Sequence, residues 1–160
     1  MSEMPSGRKM RFLCDQNLGR LAKWLRIMGF DTTYMCIWDE EIIEKALSDE
    51  RIVLTRFRKM AGRKDFYVIK SDHIREQLSQ VERLFALSSK TKWFSRCNVC
   101  NENLICAKSY DVKDRVPEYV YATQEDFAQC PKCSRIYWKG THLEKSMETI
   151  NSIITSREES

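Results

Sequence analysis

Four cysteines in two Cys-x-x-Cys hooks, Cys97 with Cys100 and Cys130 with Cys133, are the residues of this chain whose type and spacing most directly imply chemistry. Each hook sets two thiolates on one turn, and the segment between the hooks is too short for a core of its own. Four sulfurs so arranged can close a tetrahedral zinc cage. Such zinc is structural, because four protein ligands leave no open position, and it contributes about 10–16 kcal/mol to folding an element with few apolar residues. Disulfides are the alternative. Seven cysteines is an odd count and the first residues form no apolar signal segment, so the expected compartment is reducing and intracellular, not secreted. Cys14, Cys36 and Cys106 are then expected to be buried free thiols.

The flanks of the hooks are basic and aromatic: Arg96 before the first, then Lys132, Arg135, Tyr137, Trp138, Lys139 and His142 around the second. Cations for phosphates and rings for bases make a candidate surface for single-stranded RNA. The competing use of the rings is a miniature core. A second basic cluster is Arg56, Arg58, Lys59, Arg63 and Lys64, five cations in nine residues with Phe57 among them. Arg20, Lys23 and Arg26 add cations along a helical stretch. These clusters attract phosphates and repel metal ions. An ordinary solvated face is the plainer alternative.

Three acids carry a different chemistry. Asp15, Asp39 and Asp72 stand after strand-like runs, and if they converge they can hold magnesium or manganese for phosphodiester hydrolysis. Each also stands at a helix start, where an Asp caps backbone N–H groups.

The elements that must position these groups are legible as period changes. Apolar runs at residues 10–14, 32–36, 52–55 and 66–69 are rich in β-branched and aromatic residues and predict buried strands. Between them, Leu18, Leu21, Ala22, Leu25 and Met28 trace one helical face ending at Gly29; Ile42, Ile43, Ala46 and Leu47 trace a second, and Ile74, Leu78, Val81 and Phe85 a third. This alternation predicts an α/β fold with a parallel sheet and helices on its faces, whose sites lie beyond the carboxyl ends of the strands. At 160 residues and 42% hydrophobic, the chain can bury one good core with a satellite, and no run approaches a membrane span. The expected units are residues 8–87, residues 93–140 with the cysteines, and a closing helix over 141–156. Residues 1–7 are expected to be a disordered leader, 88–92 a linker and 156–160 a polar tail. Thr141 and Glu144 have capping-box spacing, and Leu143, Met147, Ile150 and Ile154 mark the helix's apolar face.

Phe12-Leu13-Cys14-Asp15, Leu18-Gly19-Arg20-Leu21-Ala22-Lys23-Trp24-Leu25-Arg26, Gly29-Phe30-Asp31 and Ile52-Val53-Leu54-Thr55-Arg56, followed by the hooks, Arg115-Val116-Pro117 and Ile136-Tyr137-Trp138-Lys139-Gly140, resemble the Mut-seven C-terminal RNase domain family. The resemblance covers residues 9–147 and implies a PIN-like parallel sheet with helices on both faces, followed by a small four-cysteine zinc ribbon and a C-terminal helix. Members of this family occur as small standalone prokaryotic proteins and, in animals, at the C-terminus of 3′-to-5′ exoribonucleases of small-RNA pathways; the resemblance implies the second setting here, in the cytoplasm or an RNA granule. The family usually carries Leu-Thr-Arg-Asp after the third strand; here that Asp position is Phe57. A lost carboxylate makes a poorer magnesium site and a better anion site.

Three functions follow. The first is an RNA-binding accessory module that holds single-stranded RNA for a catalytic domain, through Arg20, Lys23, Arg26, Arg56, Phe57, Arg58, Lys59, Arg63, Lys64, Arg96, Arg135, Tyr137, Trp138, Lys139 and His142. The second is a metal-dependent ribonuclease using Asp15, Asp39 and Asp72. The third is a docking domain for a protein partner in an RNA-silencing complex, with Trp38, Trp93 or Met35 as suspects, although Trp93 falls at the junction of the two units.

Overall fold

Four short strands, β1 (Arg11–Cys14), β2 (Asp31–Tyr34), β3 (Ile52–Thr55) and β4 (Phe66–Val68), form a parallel sheet in the order β2-β1-β3-β4. The computed structural model describes residues 9–158, so the leader expected over residues 1–7 lies outside the described residues. Strands β1 and β3 are apolar along almost their whole length because both faces are covered. On one face, Phe12, Cys14, Ile52 and Leu54 meet α1 (Gly19–Ile27) and α3 (Ile74–Phe85). Phe12 sets its ring edge-to-face with Phe30 and Phe85, at centroid distances of 5.9 and 5.6 Å. On the other face, Leu13 and Val53 meet Ile43 and Ala46 of α2 (Glu40–Ser48).

The cysteine-bearing unit is an antiparallel sheet of β5 (Ile105–Ala107), β6 (Phe127–Gln129) and β7 (Ile136–Trp138), in that order. Two short helices, α4 (Ser109–Val112) and α5 (Glu118–Thr123), lie between β5 and β6. Val112, Val120 and Phe127 make its small core, with Ile136 and Trp138 packed against them. Trp138 therefore belongs partly to this core.

The last helix, α6 (Thr141–Glu158), runs through most of the segment expected as a tail. Its first turn closes on the Gly140 carbonyl, which accepts from the Leu143 and Glu144 amides. Ile150 and Ile153 enter the main core beside α3, where Arg75 Nη2 donates to Ser152 Oγ at 3.1 Å, while Met147 is left exposed. Of the expected face, Ile150 is buried, Ile154 packs against the same core and Leu143 is half-buried, so Met147 alone departs.

The two units are joined by polar bonds. Asn101, just after the first hook, accepts from the Thr32 amide at 2.9 Å and donates to Asp31 Oδ1 at 2.7 Å. Arg26 Nε donates to the Thr32 carbonyl at 2.8 Å, and its Nη1 reaches the carbonyls of Asn98 and Val99 at 3.2 and 3.1 Å. The free edge of β2 is thus covered by the hook. Residues 88–92 are no slack linker either: the Lys92 amide donates to the Met28 carbonyl at 2.8 Å, and Thr91 Oγ1 to the Leu87 carbonyl at 2.8 Å. Gly29 permits this approach, since it sits at φ +94° and an added Cβ would lie 2.4 Å from the Lys92 carbonyl oxygen. Trp93 packs against the main core at the junction. Cys14 is buried, Cys36 half-buried and Cys106 exposed, so Cys106 departs from the expectation because β5 lies on the ribbon surface.

Replacing Asn101 with Ala strands the Thr32 amide and one Asp31 partner, and urea unfolding is expected to show a loss of about 1–3 kcal/mol. Asp31 is pushed up by burial, yet hydrogen bonds from Arg51 and Asn101 hold its carboxyl below the usual range. With the folded value depressed, this stabilisation is present above the unfolded value of about 3.9 and is lost as pH falls through the folded one. Unfolding followed against pH is expected to show a shallower acid limb for Asp31→Asn than for the wild type.

Candidate functional site

The two hooks fold alike because each closes the same local bonds. The Asn101 amide donates to the Cys97 carbonyl at 3.0 Å, and the Ser134 amide to the Cys130 carbonyl at 2.9 Å. Asn101 and Ser134 both take left-handed backbone, at φ 64° and 65°. The amides of Cys100 and Cys133 point at the sulfurs of Cys97 and Cys130, at 3.4 and 3.5 Å. The four sulfurs lie within 4.8 Å of one another, and Cys97 Sγ is 3.8 Å from Cys133 Sγ. A tetrahedral metal with bonds of about 2.3 Å requires sulfurs about 3.8 Å apart. The set fits a thiophilic ion such as zinc and leaves it no open position for a substrate. Burial works against the Cys97 thiolate, but hydrogen bonds from Tyr137, the Cys100 and Val99 amides and Cys130 lower its pKa to about 7. Tyr137 Oη lies 3.0 Å from Cys97 Sγ and 2.9 Å from Asn98 Oδ1. The polar end of this ring, expected to face RNA, is thus turned into the cage's surroundings.

The second focus is the carboxyl edge of the parallel sheet. Strand order reverses between β1 and β3, and in open α/β sheets ligands bind at that crevice. Asp15 follows β1 and Thr55 ends β3, and both are fully buried. Thr55 Oγ1 donates to Asp15 Oδ2 at 3.2 Å, Asp15 Oδ1 accepts from the Gln16 amide at 2.7 Å, and the Phe57 amide donates to Thr55 Oγ1 at 3.1 Å. Thr55 was not singled out from the sequence, although its place at the end of β3 pointed to this crevice. Phe57 packs partly into the α2-side core and meets Trp38 edge-on at 4.8 Å, and Lys59 Nζ stands 5.6 Å from the Trp38 ring. Beside them Arg56, Arg58 and Lys70 line a cavity of about 450 Å³. Lys70 was missed because it is a single cation outside the charge run.

The three acids do not gather there. Asp39 caps α2 by accepting from the Glu41 amide at 2.9 Å. Asp72 is exposed, 3.5 Å from His73 Nε2, and it is His73 that precedes α3. Among the described residues, the four cysteines are the only group of three or more His, Cys, Asp or Glu with ligand atoms close enough for one ion. The three acids thus do not converge as the magnesium or manganese alternative requires: two lie in loops that lead into different helices, and Asp15 is bonded to Thr55.

A family model of the Mut7-C RNAse domain matches residues 10–150. The chain belongs to this family. Searches of curated proteins and of solved structures find no match. Within this Mut7-C domain the expected RNA-facing cations divide by how the fold uses them. Arg58, Lys59 and Lys64 are exposed on the loop after β3, Arg20 and Lys23 on α1, and Arg135, Lys139 and His142 on the ribbon side, with Lys139 Nζ 5.6 Å from the Phe94 ring. Arg26 is the joint between the units. Arg63 pairs with Glu40 at 3.1 Å and covers the Phe66 ring at 4.6 Å, and Arg96 Nη1 donates to the Asn101 carbonyl. Arg26 and Arg63 hold the fold, where a surface role was expected, because each reaches an internal acceptor or ring, while Arg96 is tied to the Asn101 turn and also lines a cleft beside the start of β1. No helix among the described residues is long and apolar enough to cross a membrane.

The cage leads to a measurable expectation for the Mut7-C domain. Metal analysis is expected to find one thiophilic ion, zinc, per chain, and Cys97→Ser or a strong chelator to remove it. Amide exchange is then expected to lose protection across β5 to β7 while β1 and β3 keep theirs.

Proposed function

We propose that this Mut7-C domain is an RNA-holding module, which grips single-stranded RNA at the cationic carboxyl edge of its parallel sheet for a 3′-to-5′ exoribonuclease domain in the same polypeptide. The observation that carries the reading is the loop after β3. Where the family pattern has an acid, Phe57 packs on Trp38, and Arg56, Arg58 and Lys70 surround a cavity of about 450 Å³. Such a rim favours phosphates and opposes divalent cations. Trp38 is 63% exposed and offers a ring on which an unpaired base can stack, worth about 1–3 kcal/mol. Holding the strand near a tethered active site raises its local concentration, so the module assists catalysis without supplying a reacting group. Zinc in the cysteine cage stiffens the ribbon in this reading.

A second reading, a metal-dependent ribonuclease, is favoured by Asp15 alone, whose carboxylate lies at the topological switch point of the sheet. The two are separated by one experiment on single-stranded RNA, combining salt-titrated binding with cleavage in added magnesium or manganese. The expected result is binding whose log–log salt slope is about −0.7 per phosphate neutralised. Arg58→Glu with Lys59→Glu is expected to weaken it roughly tenfold or more, and Asp15→Asn in a folded protein to leave it unchanged, with no cleavage. Metal-dependent cleavage abolished by Asp15→Asn would overturn the holding role in favour of the nuclease.

A further inference from the structure

A second basic concavity of about 350 Å³ lies at the amino edge of the same sheet, where the α/β unit meets the first cysteine hook. Lys9, Arg11, Lys90, Lys92 and Arg96 line it, with Asp31 as its one acid. Asp31 is shared among Arg51 at 2.9 Å, Asn101 at 2.7 Å and, more loosely, Arg11 at 3.9 Å, so a single carboxylate faces the five cations. Two donors are left over. The Nε atoms of Arg11 and Arg96 are buried with no hydrogen-bond partner among the described residues. Arg11 Nε does lie within ion-pair range of Asp31 Oδ2, at 3.9 Å, although beyond hydrogen-bond reach. Both nitrogens are closed to solvent, so it is the accessible remainder of the Arg11 side chain, 38% exposed, that can meet the oxygens of a phosphate.

The cleft is also held in shape. Lys90 and Lys92 project into solvent from a strap whose backbone is bonded to Met28 and Leu87 and lies against Gly29. The first hook, fixed by Asn101 and Arg26, forms the other wall. Five cations around one compensated acid exclude a metal ion and suit a polyanion.

We infer that this cleft is a second phosphate site, which takes the backbone of the same RNA strand after it leaves the carboxyl-edge rim. The inference rests on the RNA-holding reading for the identity of the polyanion. Strand β1 begins at Arg11, beside the cleft, and ends at Cys14, next to the rim; its four residues span about 13 Å. A strand of several nucleotides can therefore engage both edges, and the second contact becomes intramolecular once the first is made.

The test uses the full chain with single-stranded oligouridylates of 4 and 20 nucleotides, titrated with salt. Three proteins are compared: wild type, the rim variant Arg58→Glu with Lys59→Glu, and the strap variant Lys90→Glu with Lys92→Glu. Melting and metal content check that each is folded, and Lys90→Gln with Lys92→Gln serves as a milder second strap variant. The strap variant is expected to bind the 20-mer roughly tenfold more weakly, with a salt slope shallower by about 1.4, two phosphates at 0.7 each, and to bind the 4-mer as the wild type does. The glutamine variant is expected to move the same way by less. Wild-type affinity and slope in both strap variants, with binding lost in the rim variant, overturn the second site and leave the holding role standing. Loss in the strap variants with an unaffected rim variant keeps the cleft and overturns the rim as the RNA site. A wild type that binds neither oligomer overturns both.

Discussion

The carboxamide of Asn101 is the contact on which the rest of the molecule's geometry depends. It completes the edge of β2 by accepting from the Thr32 amide, and it steadies Asp31 by donating to it. An asparagine can do this from the left-handed backbone that ends a cysteine hook, a conformation its short polar side chain tolerates well. Arg26 adds bonds from α1 to the Asn98 and Val99 carbonyls, so the hook is held from two elements of the α/β unit. A metal that orders the cysteine hooks therefore also orders the edge of the parallel sheet. The strap through Lys92, tied to the Met28 carbonyl, closes the same junction from its other side.

Charge is distributed so that the two ends of the sheet are basic while its acids are locally occupied. Asp39 caps a helix, Asp31 is held at the joint, and Asp15 is sealed beneath Thr55. The net charge of +4 is modest, but it conceals this separation. Arg58 and Lys59 at one edge, and Lys90 and Lys92 at the other, remain exposed. Local potential, and not net charge, decides what such a surface attracts.

Much of this was legible along the chain. The apolar runs marked all four strands, but only β1 and β3 are buried along most of their length, since β2 and β4 are edge strands that bury Thr32 and Phe66 alone. Leu21, Ala22 and Leu25 lie on the buried face of α1 as their spacing requires. The cysteine hooks predicted their own convergence, because two Cys-x-x-Cys turns in a small unit have few ways to satisfy their sulfurs. The face of α6 was legible in part. Ile150 and Ile154 reach the core as their spacing requires, but Ile153 is buried as well and Met147 is exposed.

The sequence by itself determined the α/β order, the cysteine cage and the basic run after β3, because hydrophobic period, ligand spacing and local charge are properties of neighbours in the chain. Only the tertiary structure decided which cations hold the fold and which stay free. Arg26 and Arg63 read as surface charges, yet their partners lie on segments that chain order does not bring together. The same holds for the acids and for the cleft at the amino edge. Asp39 and Asp72 lie in loops that lead into different helices, and docking of the hook brings Lys9 and Arg11 together with Lys90, Lys92 and Arg96. Electrostatics depends on distance in space, and that distance is set by packing.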